Sequence, residues 1–231
     1  MLKTSTNPRA PMNLRFADED FVLLADRAIL WPRRRALLVA DTHFGKDALF
    51  QARGVPVPTD VTAHDLTRLG GLVDVNEVHE LIVLGDFFHG RESNDAEMTR
   101  GLKAWRDARP HVAVTLLRGN HDRHAGDPDD SLDIACLNSL TIDAVKLQHD
   151  PLPDDAPNDD DVSILCGHVH PAATLADFDG TVVKLPCFVL DARQLILPAF
   201  GRFTGTATMP RKPGRELLIA AHGRVLRQPS R

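Results

Sequence analysis

Residues 36–43 read ALLVADTH, so five apolar residues lead directly into Asp41 and His43. Continuous apolar runs of this length are typical of strands buried on both faces of a sheet. Three further, largely apolar runs end in polar motifs: 81–84 before GD, 112–117 before RGNH, and 162–166 before GH. In open α/β sheets the carboxyl ends of the strands form the ligand-binding crevice. The pattern therefore predicts that these distant motifs converge on one crevice.

The motifs carry the donor atoms of a paired metal site. In chain order they are DTH at 41–43, GD at 85–86, GNHD at 119–122, His149, and GHVH at 167–170. Two carboxylates, one amide and several imidazoles can hold two divalent cations about 3.5–4 Å apart, a separation at which one hydroxide bridges both and attacks phosphorus. The donor set favours a two-metal phosphoesterase.

The motifs differ in how specific they are. An Asp at a strand end often only caps a turn, so DTH and GD alone are weak signals. In GNHD the Gly permits a tight turn from which three polar side chains project. Alternation in an extended GHVH segment would point His168 and His170 the same way, which suits metal ligation. His149 is the least diagnostic, since a solvent-facing turn is its alternative.

The order and residue types resemble the calcineurin-like metallophosphoesterase superfamily, whose pattern is D-x-H, G-D, G-N-H-[DE], H, G-H-x-H. The resemblance implies two ligand sets: Asp41, His43 and His170 for the first metal, and Asn120, His149 and His168 for the second. Asp86 would bridge the metals, because a carboxylate has two oxygens. His121 would remain free to polarise the phosphate or protonate the leaving oxygen, with Asn120 helping to bind the developing charge.

A narrower resemblance extends from about residue 21 to about residue 225. The segments ADTHFGK (40–46), GVPVP (54–58), GDFFH (85–89), LPCF (185–188) and LPAFGRFTG (197–205) resemble the bacterial DNA ligase-associated metallophosphoesterases. This family implies manganese-favoured phosphodiester hydrolysis, a DNA-repair context, and functional association with a DNA ligase, a helicase and an exonuclease-like protein. Imidazole ligands also suit iron or zinc.

Four residues near the motifs are candidate substrate contacts. Lys46 opens a predicted helix after the first motif, where its charge could meet a phosphate; a surface ion pair is the alternative. Arg123 could bind a phosphate bidentately or hold Asp122 in position. His89 and His124 could touch substrate or orient a metal ligand.

Composition narrows the class of protein. The 231 residues have a net charge of −5 and 43% hydrophobic content, without an apolar stretch long enough to span a membrane. Three cysteines without C-x-x-C spacing predict free buried thiols and a cytoplasmic location. Few aromatic residues and an acidic segment at 150–161 favour small or cyclic diesters or nucleic-acid ends over a long nucleic-acid track.

Element order predicts an α/β fold, and the superfamily resemblance implies a four-layer α/β/β/α sandwich of two mixed sheets flanked by helices. We expect one domain over residues 1–231, with 1–13 as a flexible N-terminal segment. Thr59 and Asn94 are the predicted N-caps of helices at 61–73 and 95–106. The first strand is predicted at 21–24, and separate strands at 181–184 and 188–191.

The predicted function is metal-dependent phosphodiester hydrolysis by a metal-bridging hydroxide. A phosphomonoesterase, a structure-dependent DNA nuclease and a non-catalytic interaction scaffold are the alternatives. The sequence leaves a homo-oligomer open and predicts no membrane partner.

Overall fold

The structure, a computed structural model, describes residues 10–58, 60–153, 162–176 and 181–228. Within these residues sheet I has seven strands in chain order: β1 (Met12–Phe16), β2 (Glu19–Leu24), β3 (Ala28–Trp31), β4 (Ala36–Val39), β5 (Glu80–Val83), β6 (Ala113–Leu117) and β7 (Ile134–Leu137). The strands from β1 to β4 pair antiparallel, and β4, β5, β6 and β7 pair parallel. The carboxyl ends of β4, β5 and β6 therefore meet at one edge.

Sheet II comprises β8 (Ser139–Ile142), β9 (Val145–Gln148), β10 (Ser163–Cys166), β11 (Pro171–Ala176), β12 (Val182–Leu190), β13 (Gln194–Ile196), β14 (Ala207–Thr208), β15 (Glu216–Ala221) and β16 (Arg224–Arg227). Its main path runs β14-β11-β12-β13-β10-β9-β8, and β15 joins β12 and β16. The central strands β9, β10 and β13 pair parallel, whereas β11 and β12 pair antiparallel.

The helices are α1 (Lys46–Ala52), α2 (Val61–Val75), α3 (Ala96–Asp107) and α4 (Asn120–Ala125) among the described residues. Strand β4 shows how they relate to the sheets. Leu38 lies in the core between the two sheets, whereas Leu37 and Val39 lie in a second core with residues of α2 and α3. All three side chains are fully buried. The prediction of a strand buried on both faces is confirmed.

The α/β fold class with two mixed sheets is confirmed, although the helices are distributed unevenly. All four lie between residues 46 and 125, and segments 162–176 and 181–228 contain none. A third core on sheet II, which includes Ile164 and Ile219, is covered in part by Leu152, Val169 and Met209 from connecting segments. None of the described helices is long and apolar enough to cross a membrane.

Several predicted element ends need correction. The chain enters sheet I at Met12, inside the segment 1–13 that was expected to be flexible, because β1 pairs with β2 over five residues. Residues 1–9 and Thr59 lie outside the described part, as does most of the acidic segment 150–161. Asp60 is the residue at the N-cap of α2.

Asn94 is not the N-cap of α3. Asp95 has extended backbone and its side chain accepts a hydrogen bond from the Met98 N–H, so it caps the helix. The Asn94 amide instead donates to the carbonyl of Asp127, at 3.0 Å. Likewise, the two strands predicted at 181–184 and 188–191 are the single strand β12, and β1, β7, β8, β11, β14 and helix α4 were not predicted.

The three cysteines are free thiols, as predicted, with Cys166 and Cys187 buried and Cys136 half-buried. Burial raises the pKa of Cys136 to about 11 and that of Cys187 to about 12. The thiols are therefore protonated near neutral pH.

Candidate active site

The two sheets bring their polar motifs together at one edge. Asp41 and Asp86 follow β4 and β5, and their loops run side by side: the Asp41 N–H donates to the Gly85 carbonyl at 3.0 Å, and the His43 N–H to the Asp86 carbonyl at 2.9 Å. In sheet II the Gly167 N–H donates to the His149 carbonyl at 3.1 Å. The predicted convergence of the motifs is confirmed.

One cluster of donor atoms consists of Asp41, His43, Asp86 and His170, whose ligand atoms all lie within 4.8 Å of one another. Nε2 of His43 is 3.2 Å from Nε2 of His170 and 3.8 Å from a carboxylate oxygen of Asp86. Nε2 of His170 is 3.5 Å from an oxygen of Asp41. Four donors from both sheets thus surround one point.

A second cluster consists of Asp86, His149 and His168. Nε2 of His149 lies 3.4 Å from Oδ1 of Asp86, 3.0 Å from Nδ1 of His168 and 3.1 Å from Oδ1 of Asn120. The side-chain oxygen of Asn120 therefore lies beside this cluster. Asp86 belongs to both clusters, so the seven predicted ligands form two overlapping donor sets.

Backbone carbonyls fix the orientation of two imidazoles. Nδ1 of His149 donates to the Leu84 carbonyl at 2.9 Å, and Nδ1 of His170 to the Gly205 carbonyl at 3.2 Å. A carbonyl only accepts, so Nδ1 carries the proton in each ring and Nε2 keeps its lone pair for a metal. Burial lowers the pKa of His170, but the hydrogen bond that its protonated ring donates to Asp41, together with the Asp41 charge, raises that pKa above the ordinary value.

Five of the ligand residues have left-handed backbone: Asp41 (φ 53°), His43 (45°), Asp86 (53°), His168 (71°) and His170 (50°). Non-glycine residues rarely adopt this conformation, and it concentrates at functional sites. The expected alternation of an extended GHVH segment is wrong, because His168 and His170 occupy a turn. Their imidazoles enter different clusters.

The donor set fits a metal. Asp41 and Asp86 are 0% and 2% exposed, and neither pairs with a Lys or Arg among the described residues. Buried carboxylates without a positive partner are costly unless a cation neutralises them. The mixture of carboxylate, amide and imidazole is the ligand chemistry of transition-metal ions.

His121 stands beside the first cluster. Its backbone N–H donates to Asp86 at 2.9 Å, and its Nδ1 contacts the carbonyl of His89. Its ring is 4.8 Å from that of His43 and stacks on His89 at 5.1 Å. Burial, with smaller effects from neighbouring cations, lowers the pKa of His43 to about 2 and that of His89 to about 4. Both are therefore neutral imidazoles near pH 7.

Asp122 is a supporting residue absent from the predicted site. Its carboxylate accepts the backbone N–H groups of Gly119 (2.8 Å), Phe87 (2.9 Å) and Phe88 (3.3 Å), and thereby joins the loop after β5 to α4. Burial raises the pKa of Asp122. Its place in GNHD was the available signal. The alternative that Arg123 holds it is wrong, since Arg123 approaches Asp150 at 3.4 Å.

The four candidate substrate contacts occupy two places. Lys46 and His89 are half-buried near His43, whereas Arg123 and His124 are exposed on α4. Nδ1 of His124 is 2.7 Å from the Asn120 carbonyl, and His89 Nδ1 is 3.4 Å from Nδ1 of His43. Lys46 lies between the rings of Phe50 and Phe203, which sequence reasoning missed.

This fold and its donor clusters define a metal-dependent hydrolase of phosphoric esters. A family model for the calcineurin-like phosphoesterases matches residues 34–189, and the chain belongs to that family. The predicted family and the prediction of an enzyme are both confirmed.

Solved structures provide a second comparison. The structure of Pseudomonas putida nuclease MPE is 37% identical to this chain, covers 94% of it and 100% of its own length, and has a TM-score of 0.79. A protein of unknown function from Aquifex aeolicus also matches, with 20% identity over 58% of this chain and 78% of its own length and a TM-score of 0.39. The E. coli phosphoesterase YfcE matches with 13% identity over 79% of this chain and 87% of its own length, also with a TM-score of 0.39. No curated protein matches the chain.

Proposed function

We propose that this phosphoesterase is a binuclear phosphodiesterase that uses two divalent transition-metal ions, with manganese as the expected metal. The observation that carries the proposal is the sharing of Asp86 between two donor clusters. Asp41, His43 and His170 would hold one ion, and Asn120, His149 and His168 the other. A carboxylate between two cations can bind each with one oxygen.

Bound divalent cations would activate water as a nucleophile and neutralise the phosphate oxygens. The chain's own residues would do the rest. His121 would give a proton to the leaving oxygen from Nε2 in its imidazolium form, in which both ring nitrogens donate, because its Nδ1 proton already goes to the His89 carbonyl. Its backbone N–H to Asp86 keeps the ring beside the metal ligands. The amide of Asn120 would bind developing charge on the phosphate.

The proposed substrates are nucleotide diesters or nucleic acid, in a DNA-repair context. The support comes from the Pseudomonas putida relative, which is described as a nuclease and matches 94% of the chain. The same proposal includes functional association with a DNA ligase, a helicase and an exonuclease-like protein. It also includes a single domain and a cytoplasmic location, which suits free thiols.

The test is hydrolysis of bis(p-nitrophenyl) phosphate beside p-nitrophenyl phosphate by metal-stripped protein refilled with manganese. Diester cleavage that needs both manganese and Asp86, with Asp86→Asn as the inactive variant, is the expected result. Asp20→Asn, an exposed carboxylate on β2, is the matched control and should remain active. Preference for the monoester would make the chain a phosphomonoesterase instead.

A further inference from the structure

Beside the donor clusters lies a small group of residues that metal binding does not use. Phe50 on α1 and Phe203 in the loop after β13 meet edge to face, with ring centroids 5.7 Å apart and an interplanar angle of 89°. The Lys46 ammonium is 5.9 Å from the centroid of each ring. We call these three residues the aromatic shelf.

The shelf is continuous with the proposed catalytic imidazole. The Phe50 ring is 6.1 Å from the His89 ring, and His89 stacks on His121 at 5.1 Å with an angle of 23°. His121 is the residue proposed to protonate the leaving oxygen. A group attached to that oxygen would therefore extend away from the donor clusters, past His89 and toward Phe50.

Core packing does not explain these rings. Phe50 and Phe203 are half-buried and belong to none of the three hydrophobic cores, whereas Phe44, Phe88 and Phe200 nearby in sequence are fully buried core residues. Among the described residues no carboxylate pairs with Lys46. The shelf thus offers partly exposed aromatic faces and an ammonium group without an acidic partner.

The loop that carries Phe203 is held firmly. The N–H groups of Phe200 and Gly201 donate to the carbonyls of Ala40 and Asp41, at 2.8 and 3.1 Å. Farther along, the Arg202 N–H donates to Asp65 at 2.8 Å. The same loop supplies the carbonyl that orients His170. These bonds tie the loop of Phe203 to Asp41 and His170, so backbone contacts set the place of this part of the shelf relative to the donor clusters.

We propose that the aromatic shelf binds the nucleobase of the nucleoside attached to the leaving oxygen, with Lys46 contacting a phosphate of the same nucleotide. This rests on the proposed phosphodiesterase function and adds the group by which the site recognises its substrate. Every nucleobase has an aromatic face that can stack on these rings, so the contact would favour nucleotides over diesters that lack a base. It would not distinguish one base from another. Stacking on one aromatic side chain typically changes affinity by about 5- to 150-fold.

The experiment uses two ligands that differ only in the base. Thymidine 5′-monophosphate and 1,2-dideoxyribose 5-phosphate are titrated calorimetrically into the full-length chain loaded with manganese. The wild-type protein should bind the nucleotide about tenfold more tightly. Phe50→Leu and Phe203→Leu keep an apolar side chain but remove the ring, and each should abolish most of that preference.

Two further variants separate the components of the contact. Lys46→Gln should weaken both ligands by a similar factor, because it removes a charge near phosphate rather than the stacking surface. Phe16→Leu makes the same exchange in a core position of β1 and should leave the preference unchanged. Thermal unfolding of each variant checks that it is folded.

Equal binding of the two ligands by the wild type, or a preference that survives both ring variants, would overturn the proposal. Hydrolysis of bis(p-nitrophenyl) phosphate by the same wild-type sample separates this failure from failure of the parent function. Diester turnover without a base preference would support the proposed phosphodiesterase activity and contradict the proposal that the aromatic shelf binds a base. Absence of turnover by protein that holds manganese would overturn the parent function and the leaving-group assignment with it.

Discussion

Single residues carry the chemistry of the site, because each candidate metal ligand supplies its own donor atom to one of two clusters and Asp86 supplies one to both. Asp41, Asp86 and Asn120 lie at the ends of adjacent parallel strands, where a local pattern suffices to place them. Asp122 was harder to find because its three partners are backbone N–H groups on two separate loops. The three-residue spacing in GNHD shows only the contact with Gly119, and no spacing in the sequence records the contacts with Phe87 and Phe88.

At the residue scale, His121→Ala should lower the rate of diester hydrolysis by about 10²- to 10⁴-fold while the protein keeps its metals. The reason is that His121 contacts Asp86 only through its backbone N–H, which alanine retains. Steady-state kinetics together with metal content per chain give the measurement. His64→Ala, an exposed histidine of α2, is the control. An unchanged rate would remove His121 from catalysis.

The pH dependence of stability in the metal-free protein is a second residue-scale prediction. The pKa of His43 is about 2 in the folded chain and has its ordinary value of 6.5 in the unfolded chain. Between these two pH values the unfolded chain binds a proton at His43 and the folded chain does not. Stability should therefore fall as pH drops below about 6.5, and continue to fall toward pH 2.

Urea unfolding of metal-free protein between pH 7.5 and 4.5 measures this dependence. His43→Asn should make the slope shallower by at most about 1.4 kcal/mol per pH unit, the value for one proton. A variant with the same slope as the wild type would show that His43 is not held neutral by the fold.

At the scale of elements, the strands that lead into motifs were predicted to within a residue or two, because their apolar runs are buried on both faces. Helix α4 was missed because its six residues, NHDRHA, are too few and too polar to show the helical spacing of apolar residues. Its start is instead stabilised by the hydrogen bond from the Gly119 N–H to Asp122. The GHVH turn was misread as extended, since left-handed backbone at His168 and His170 is enforced by tertiary contacts. One such contact is the His168 N–H to Asp41.

Gly119→Ala tests how α4 is seated against the loop after β5. A Cβ on Gly119 would overlap the Asp86 carboxylate and lie 2.6 Å from the Asp86 backbone nitrogen and 2.9 Å from Cε1 of His149. Asp86 must then move, and a shift of about 1 Å at a catalytic site can cost about 100-fold in rate. Gly101→Ala on α3, where a Cβ meets nothing within 4 Å, should retain full activity. Wild-type kinetics for Gly119→Ala would refute this arrangement.

At the scale of the whole molecule, the site joins the two sheets. Asp41, Asp86 and Asn120 follow strands of sheet I, whereas His149, His168 and His170 follow strands of sheet II. The sequence predicted two packed sheets from the order of elements. The helices predicted from the sequence all lay in the first half of the chain, where α1, α2 and α3 are observed. The sequence did not indicate that connecting segments would cover part of the third core, on sheet II.

Metal binding should therefore stabilise the folded chain. Manganese at 100 times its dissociation constant is expected to add about 2.7 kcal/mol per site. Differential scanning calorimetry of metal-free and manganese-loaded protein measures the shift in melting temperature. Asp86→Asn should lose most of the shift, and Asp20→Asn none of it. A melting temperature that does not depend on manganese would be inconsistent with metal ligands drawn from both sheets.

The sharing of Asp86 can be observed in a crystal structure of the manganese-loaded protein, with anomalous scattering recorded at the manganese edge. We predict two anomalous peaks about 3.5–4 Å apart, with one Asp86 oxygen on each. His43 and His170 should bind one ion, and His149 and His168 the other. A single peak, or two peaks without Asp86 between them, would contradict the binuclear site.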